Sequence, residues 1–388
     1  MSDTKIFFDN ASTTKVDPRV LKDMLPYFSE HYGNPSSLHD FGDTAHGALD
    51  NARSQVASLI GANDEEIYFT SCGTESNNLA LWGLVRSSKK ENRHIITSAI
   101  EHHSIINPLK DIKKEGWDIT HIGVDNNGLV DPDKIRQAIT DSTLLISIMH
   151  ANNEVGTIQN LKEISGIAKK NEILFHSDGI ATAGVIPVDI GELGVDTYSF
   201  SSQQMYGPKG AAALYLKKGV RLKPMLQGGI QERGRRAGTE NIPAIVGFGR
   251  ACEIAKNELD KNAKHISSIR DKLEKGIIGN IDKVKLNGHP SQRIPGSVHI
   301  SFEFIEGESI LLMLNMEGIL TASGSSCASQ ALKSSYVLTE MGLSATLAQG
   351  SISFSLGKYN TEDEVDKALE VLPPIVERLR KMSPLFKE

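Results

Sequence analysis

The residues able to do chemistry in this chain fall into short polar clusters that interrupt apolar runs. In Thr70-Ser71-Cys72-Gly73-Thr74-Glu75, the glycine allows close backbone approach, and the free N–H groups of a helix starting with Thr74 suit a phosphate. A plain helix N-cap fits that sequence equally well. His102, in Glu101-His102-His103, offers an imidazole able to stack on a flat heteroaromatic ring, or it is a surface or capping histidine. Asn153 lies in Asn152-Asn153-Glu154, and Ser201 opens Ser201-Ser202-Gln203-Gln204. Asp178, ending FHSD, is a carboxylate placed as a pyridinium nitrogen would need it, or a turn aspartate. The basic, glycine-rich stretch from Gln227 to Asn241, which includes Thr239, either clasps an anion or is a solvated loop. Cys327 sits among small residues in Thr321-Ala322-Ser323-Gly324-Ser325-Ser326-Cys327-Ala328-Ser329, the setting in which a thiol reacts or ligates metal. Cys252, on a helix in FGRACEIA, reads as core, whereas Cys72 is either a small filler or a neighbour of the phosphate turn. Three cysteines without a C-x-x-C pair argue against a disulfide framework or a self-contained zinc site.

These clusters need elements to position them. The runs EEIYFTS, RHIITSAI, LLISIMHA, EILFHSD, DTYSFSS and AAALYL alternate with helix-length amphipathic segments, which predicts an α/β fold with a mostly parallel sheet covered on both faces. Most clusters begin where a strand ends, and in such sheets the ligand crevice lies outside the carboxyl ends of the strands. They are therefore expected to share one site. Beyond about residue 250 the texture changes to a helix, strands around SVHISF and GSISFSL, and a final helix EDEVDKALEVLPPIVERLRKM. We expect a large α/β domain over 16–255. A smaller α+β domain is expected from 1–15 and 256–388, carrying a mobile cysteine loop at about 321–335. The length of 388 residues and 39% hydrophobic content suit a two-domain soluble protein. A net charge of −6 gives no electrostatic case for nucleic acid or an anionic membrane. Without a signal-like head or a long apolar run, a cytoplasmic location is expected.

The segments FDNASTT, YGNPSSLH, FTSCGTESNN, EHHSIINP, MHANNEVGTIQ, SFSSQQMYGPKG, GGIQERGRRAGTEN and TASGSSCASQALKSSYVL occur in an order that resembles the cysteine desulfurases of the NifS/IscS type over essentially the whole chain. The resemblance implies an aspartate-aminotransferase-like (fold type I) large domain, pyridoxal phosphate as cofactor, and a homodimer with active sites at the subunit interface. Such enzymes take sulfur from L-cysteine as a persulfide on a mobile-loop cysteine and pass it to a scaffold protein of the IscU type. By position, Gly73 and Thr74 match the phosphate turn, His102 the ring-stacking histidine and Asn153 a ring contact. Asp178 matches the partner of the pyridine nitrogen, Ser201 a phosphate ligand, Thr239 a residue reaching the other subunit's phosphate, and Cys327 the persulfide cysteine.

The departures are equally specific. Gln204 stands where the family has the Schiff-base lysine and Gln203 where it has the adjoining histidine. The family's Asp-Ala-x-Gln becomes Asp178-Gly179-Ile180-Ala181, and Ser353 replaces the arginine that grips the substrate carboxylate. An amide nitrogen neither forms that imine nor shuttles a proton. The expectation is a protein of iron–sulfur cluster assembly that presents Cys327, as persulfide carrier or cluster ligand, to a scaffold, with His102 retained and cysteine lysis lost or impaired. The alternative is an active desulfurase holding pyridoxal phosphate without a covalent bond.

Overall fold

The computed structural model describes residues 5–88, 93–323, 334–384 and 386. Strand β1 (Ile6–Phe7) is followed by β2 (Ile67–Thr70), β3 (His94–Ser98), β4 (Asp118–Ile122), β5 (Thr143–Ser147), β6 (Leu174–Asp178), β7 (Thr197–Ser201) and β8 (Ala212–Leu216). Strands β2 to β8 form a seven-stranded sheet in the order β2-β8-β7-β6-β5-β3-β4. The run from β7 to β4 is parallel, and β8 runs antiparallel between β7 and β2. The fold is thus α/β with a mostly parallel sheet. Near-continuous apolar runs such as Leu145, Ile146, Phe175 and Phe200 are buried because helices cover both faces. The geometry puts the carboxyl ends of β2, β3, β5, β6 and β7 on one edge, and every polar cluster from the central sheet leaves from that edge.

The later chain adds β9 (Val284–Asn287), β10 (Ser297–Phe302), β11 (Ile319–Leu320) and β12 (Ser351–Ser355). Strands β12-β10-β9 make an antiparallel sheet, and β1 pairs with β11. Along β10 and β12 the side chains alternate sharply. Val298, Ile300, Phe302, Ile352 and Phe354 enter an apolar core, whereas Ser297, His299, Ser301, Ser351, Ser353 and Ser355 are polar and still buried. That polar face is covered rather than solvated: Ala11 N donates to Ser355 Oγ at 2.8 Å, and Glu154 approaches His299.

Two helices tie the layers together. Ile242–Asn280 runs for 39 residues with Pro at its start and Asn241 as N-cap, supplying Phe248 and Ala251 to the large core and Ile266, Ile269 and Leu273 to the small one. Glu362–Met382 matches the expected final helix and begins with a capping box, Thr361 with Glu364. Among the described residues no helix is long and apolar enough to cross a membrane.

Candidate functional site

Four polar side chains join three strand exits into one network. Asp178 ends β6, 5% exposed, and its Oδ2 accepts from Asn77 Nδ2 at 2.7 Å while its Oδ1 accepts from the Ile180 N–H at 3.0 Å. Asn77 lies on the helix Gly73–Ser87 that follows β2, is fully buried, and also donates to Ser104 Oγ at 2.8 Å. Ser104 in turn meets His102 Nδ1 at 2.7 Å through its hydroxyl and 3.1 Å through its backbone N–H. His102 is thus the N-cap of helix His103–Lys114, which fixes its ring beside the strand ends. Burial pushes Asp178 above the usual carboxylate range, because no cationic side chain hydrogen-bonds it. Behind it, burial lowers His176 to about 3 and His150 to about 4, so both are neutral packing groups.

The helix Gly73–Ser87 has no side-chain cap from Cys72, which leaves its first-turn N–H groups available to an anion. Thr74 is exposed in that turn. Gly73 also packs against a neighbouring side chain: a Cβ there would overlap Ile180 Cδ1 unless that side chain moved. Gly179 is packed in a similar way. Any Cβ would collide with the ring of Tyr198, whose hydroxyl lies 2.9 Å from His150 Nδ1 and 2.7 Å from Thr182 Oγ1. The replacement of the family's alanine at 179 is therefore matched by a buried aromatic ring.

On the other side of the strand edge, Ser201 ends β7 and its hydroxyl donates to Gln204 Oε1. Gln204 occupies a short 3-10 turn, Ser202–Met205, closed by Tyr206 in the left-handed region at φ 63°. Gln204 and Asn153 line a cavity to which Ala181 contributes only a methyl group. Ser353 is buried opposite His299, its N–H bound to Ala322 O at 2.8 Å. His299 Nε2 lies 3.5 Å from Glu154 Oε1.

The 227–241 loop is pinned. Glu232 makes a buried two-pronged pair with Arg53 at 2.7 and 2.8 Å and accepts from the Phe69 N–H at 2.8 Å, while Arg236 Nε bonds Glu75 Oε1 at 2.8 Å. Glu232 and Arg233 hold left-handed φ angles of 45° and 54° in this anchor. Thr239 is exposed on the same loop.

Gly73, His102 and Asp178 therefore surround one edge, Ser201 contacts Gln204, and Asn153 faces the adjoining cavity. Cys327 lies outside the described residues. Cys252 is buried, with a thiol pushed up by burial, and Cys72 is exposed. Among the described residues no group of three or more His, Cys, Asp or Glu could hold a metal ion. Sequence reading missed Asn77 and Ser104, although both lie within the quoted motifs FTSCGTESNN and EHHSIINP. It also missed Glu101, whose Oε1 accepts from Ser98 Oγ and Met149 N–H at 2.7 and 2.8 Å and whose pKa burial raises to about 8.

A buried carboxylate at a strand end, an uncapped helix start and a fixed imidazole stand at the places where the resemblance expects the groups that hold pyridoxal phosphate. The chain belongs to the class-V aminotransferase family, whose pattern it matches over residues 6–368. Its relatives there are cysteine desulfurases. The cysteine desulfurase IscS of Methanosarcina thermophila is 48% identical over 380 residues, covering 98% of this chain and 94% of that protein. The cysteine desulfurase IscS 1 of Archaeoglobus fulgidus is 46% identical over 98% of this chain and 99% of its own. Among solved structures, a NifS-like protein superposes with a TM-score of 0.91 at 39% identity, covering 97% of this chain and 100% of that one.

Proposed function

We propose that this protein serves iron–sulfur cluster assembly as a cysteine desulfurase-type homodimer in the cytoplasm. It presents Cys327, as persulfide carrier or cluster ligand, to a scaffold of the IscU type, while its own cysteine lysis is lost or impaired. The observation that carries the reading is Gln204, held by Ser201 in the turn after β7 where the resemblance places a lysine. The site fits pyridoxal phosphate in part. Asp178 with Asn77 would hold the ring nitrogen, His102 would cover the ring, and the Gly73–Thr74 helix start would take the phosphate. When bound, that cofactor supplies an electron sink for an amino acid's α-carbon. Position 204 supplies no amine for a covalent link, and neither Gln203 nor Gln204 shuttles a proton at that point. Ser353 has no charge with which to anchor a carboxylate. Cys327 enters on its sequence setting, and a single thiolate needs a partner's ligands to complete a cluster.

A second reading, an active desulfurase with noncovalently held pyridoxal phosphate, is favoured by the intact network from His102 to Asp178. The visible spectrum of anaerobically purified protein, before and after adding pyridoxal phosphate and then cysteine, separates the two when iron and sulfide are assayed on the same sample. The first reading expects iron and sulfide that vanish in Cys327→Ala and no alanine from cysteine. Alanine formation that depends on added cofactor would establish the second.

A further inference from the structure

The cavity beside Gln204 extends away from Asp178 and His102 into the space between the long helix Ile242–Asn280 and the polar face of the small sheet. Its volume is about 90 Å³. One wall is apolar, built by Val185, Met205, Ile254, Leu259, Ile266 and Ile294. The lining also presents uncharged polar side chains, among them Asn153, Gln204, Asn262 and Ser297. Gln204 spends its Oε1 on Ser201, and its Nε2 makes no hydrogen bond to a described residue.

Charge decides what such a space accepts. The one cationic side chain in the lining is Lys358, and its Nζ is 2.7 Å from Asp17 Oδ2, with the two side chains 7% and 2% exposed. Asp17 also holds Arg19 at 2.8 Å, and Arg19 reaches Glu258 at 2.6 Å. Two cations therefore meet two carboxylates, and the cluster is neutral as a whole. A carboxylate entering the cavity would lose water without gaining a free counterion, which is strongly unfavourable. A neutral amide or carbonyl would exchange its water for the Gln204 and Asn262 amides and lay its apolar part on the aliphatic wall.

We infer that this cavity is a binding site for a small uncharged molecule with an apolar body and one amide-like or carbonyl end, and that it discriminates against amino acids and other carboxylates. The size follows from the volume: an apolar cavity of about 150 Å³ takes a benzene ring, so the space here suits a compact ligand of no more than about six heavy atoms. The inference does not depend on the role proposed for Cys327, since none of its residues lies in the 324–333 segment.

The test uses two molecules of one shape and different charge, isobutyramide and isobutyrate, titrated against the full-length protein by saturation-transfer NMR. Isobutyramide is expected to bind with a Kd in roughly the millimolar range, as a ligand of about six heavy atoms allows, and at least about tenfold more tightly than isobutyrate. Ala263→Phe and Leu259→Phe, which fill the space from the long helix, should each abolish the isobutyramide signal while the circular dichroism spectrum stays that of the parent. Equal binding of the two probes, no saturable isobutyramide contact, or a signal that survives in a folded filled variant would each overturn the assignment. The comparison of the two probes needs no variant, so a substitution that fails to fold leaves the test intact.

Discussion

The two sides of the strand edge have been treated differently. Around Asp178, hydrogen bonds from Asn77, Ser104 and His102 lock the side chains in place, and an acid, an imidazole and a helix start face one point. Around Gln204, the groups that the resemblance leads one to expect are replaced by an amide at 204 and a methyl at 181, a cavity whose one cation is paired lies alongside, and on the small sheet a hydroxyl stands at 353. One half holds, in a buried hydrogen-bond network, the groups that the resemblance assigns to a heteroaromatic ring and its phosphate. In the other, positions 204 and 353 carry an amide and a hydroxyl, neither of which forms an imine or offers a carboxylate a charge. The lesson is that recognition of a cofactor and catalysis with it are physically separable, because the first uses buried hydrogen bonds and the second needs a nucleophile with a movable proton.

That comparison can be broken at several points. The largest effect is expected from Cys327→Ala, which should remove essentially all iron and sulfide from anaerobic protein; unchanged iron would detach the thiol from the proposed role. Next, Asp178→Ala should weaken pyridoxal phosphate binding by roughly 100-fold, about the 2–3 kcal/mol of a charge-assisted hydrogen bond. Equal affinity, followed by absorption titration, would show that Asp178 does not face the ring nitrogen. Gln204→Lys should strengthen cofactor binding and give an absorption band removed by borohydride, yet release little alanine until Ser353→Arg is added. Full turnover in the single variant would mean the carboxylate has another anchor. Asn77→Ala should cost about 1–3 kcal/mol in urea unfolding, because Asp178 Oδ2 and Ser104 each lose a buried partner.

The smallest effect concerns pH. Glu101 has a folded pKa of about 8, above its ordinary 4.5, so between those values the folded state holds a proton that the unfolded chain has lost. Stability from this group is full below about pH 4.5 and falls as pH rises towards 8, with a slope of at most about 1.4 kcal/mol per pH unit. His150 and His176 act in the opposite sense. Their folded pKa values lie below 6.5, so they favour the fold above that pH and cease to as it becomes acidic. Glu101→Gln should flatten the fall between pH 5 and 8 in thermal unfolding scans, and an unaltered profile would assign the slope elsewhere.

Much of this arrangement is legible in the sequence. The six central strands read from it all form, and the final helix begins and ends where its pattern does, because buried parallel strands and a capped amphipathic helix carry strong local signals. The strand Asp118–Ile122 was not legible: it lies at the sheet edge and is half exposed, so DITHI shows no continuous apolar run. Asp178, His102 and Gly73 could be read from their places after strands. Asn77 could not, since nothing local separates a helical asparagine facing solvent from one buried between a serine and an aspartate. The neutral cavity was invisible for a further reason: its walls come from residues near 10, 153, 204, 260 and 297, which only the packing of the two sheets brings together.

The Tyr198 ring beneath Gly179 limits what a single substitution can do at this strand exit. A methyl group at 179 collides with that ring, while the ring's hydroxyl is held by His150 and Thr182. Alanine at 179 is therefore barred while the ring stays. Admitting it requires the ring to leave, which strands two buried polar partners, His150 and Thr182. Restoring a lysine at 204 and restoring an alanine at 179 are thus unequal steps, the first needing one substitution and the second a change at two positions.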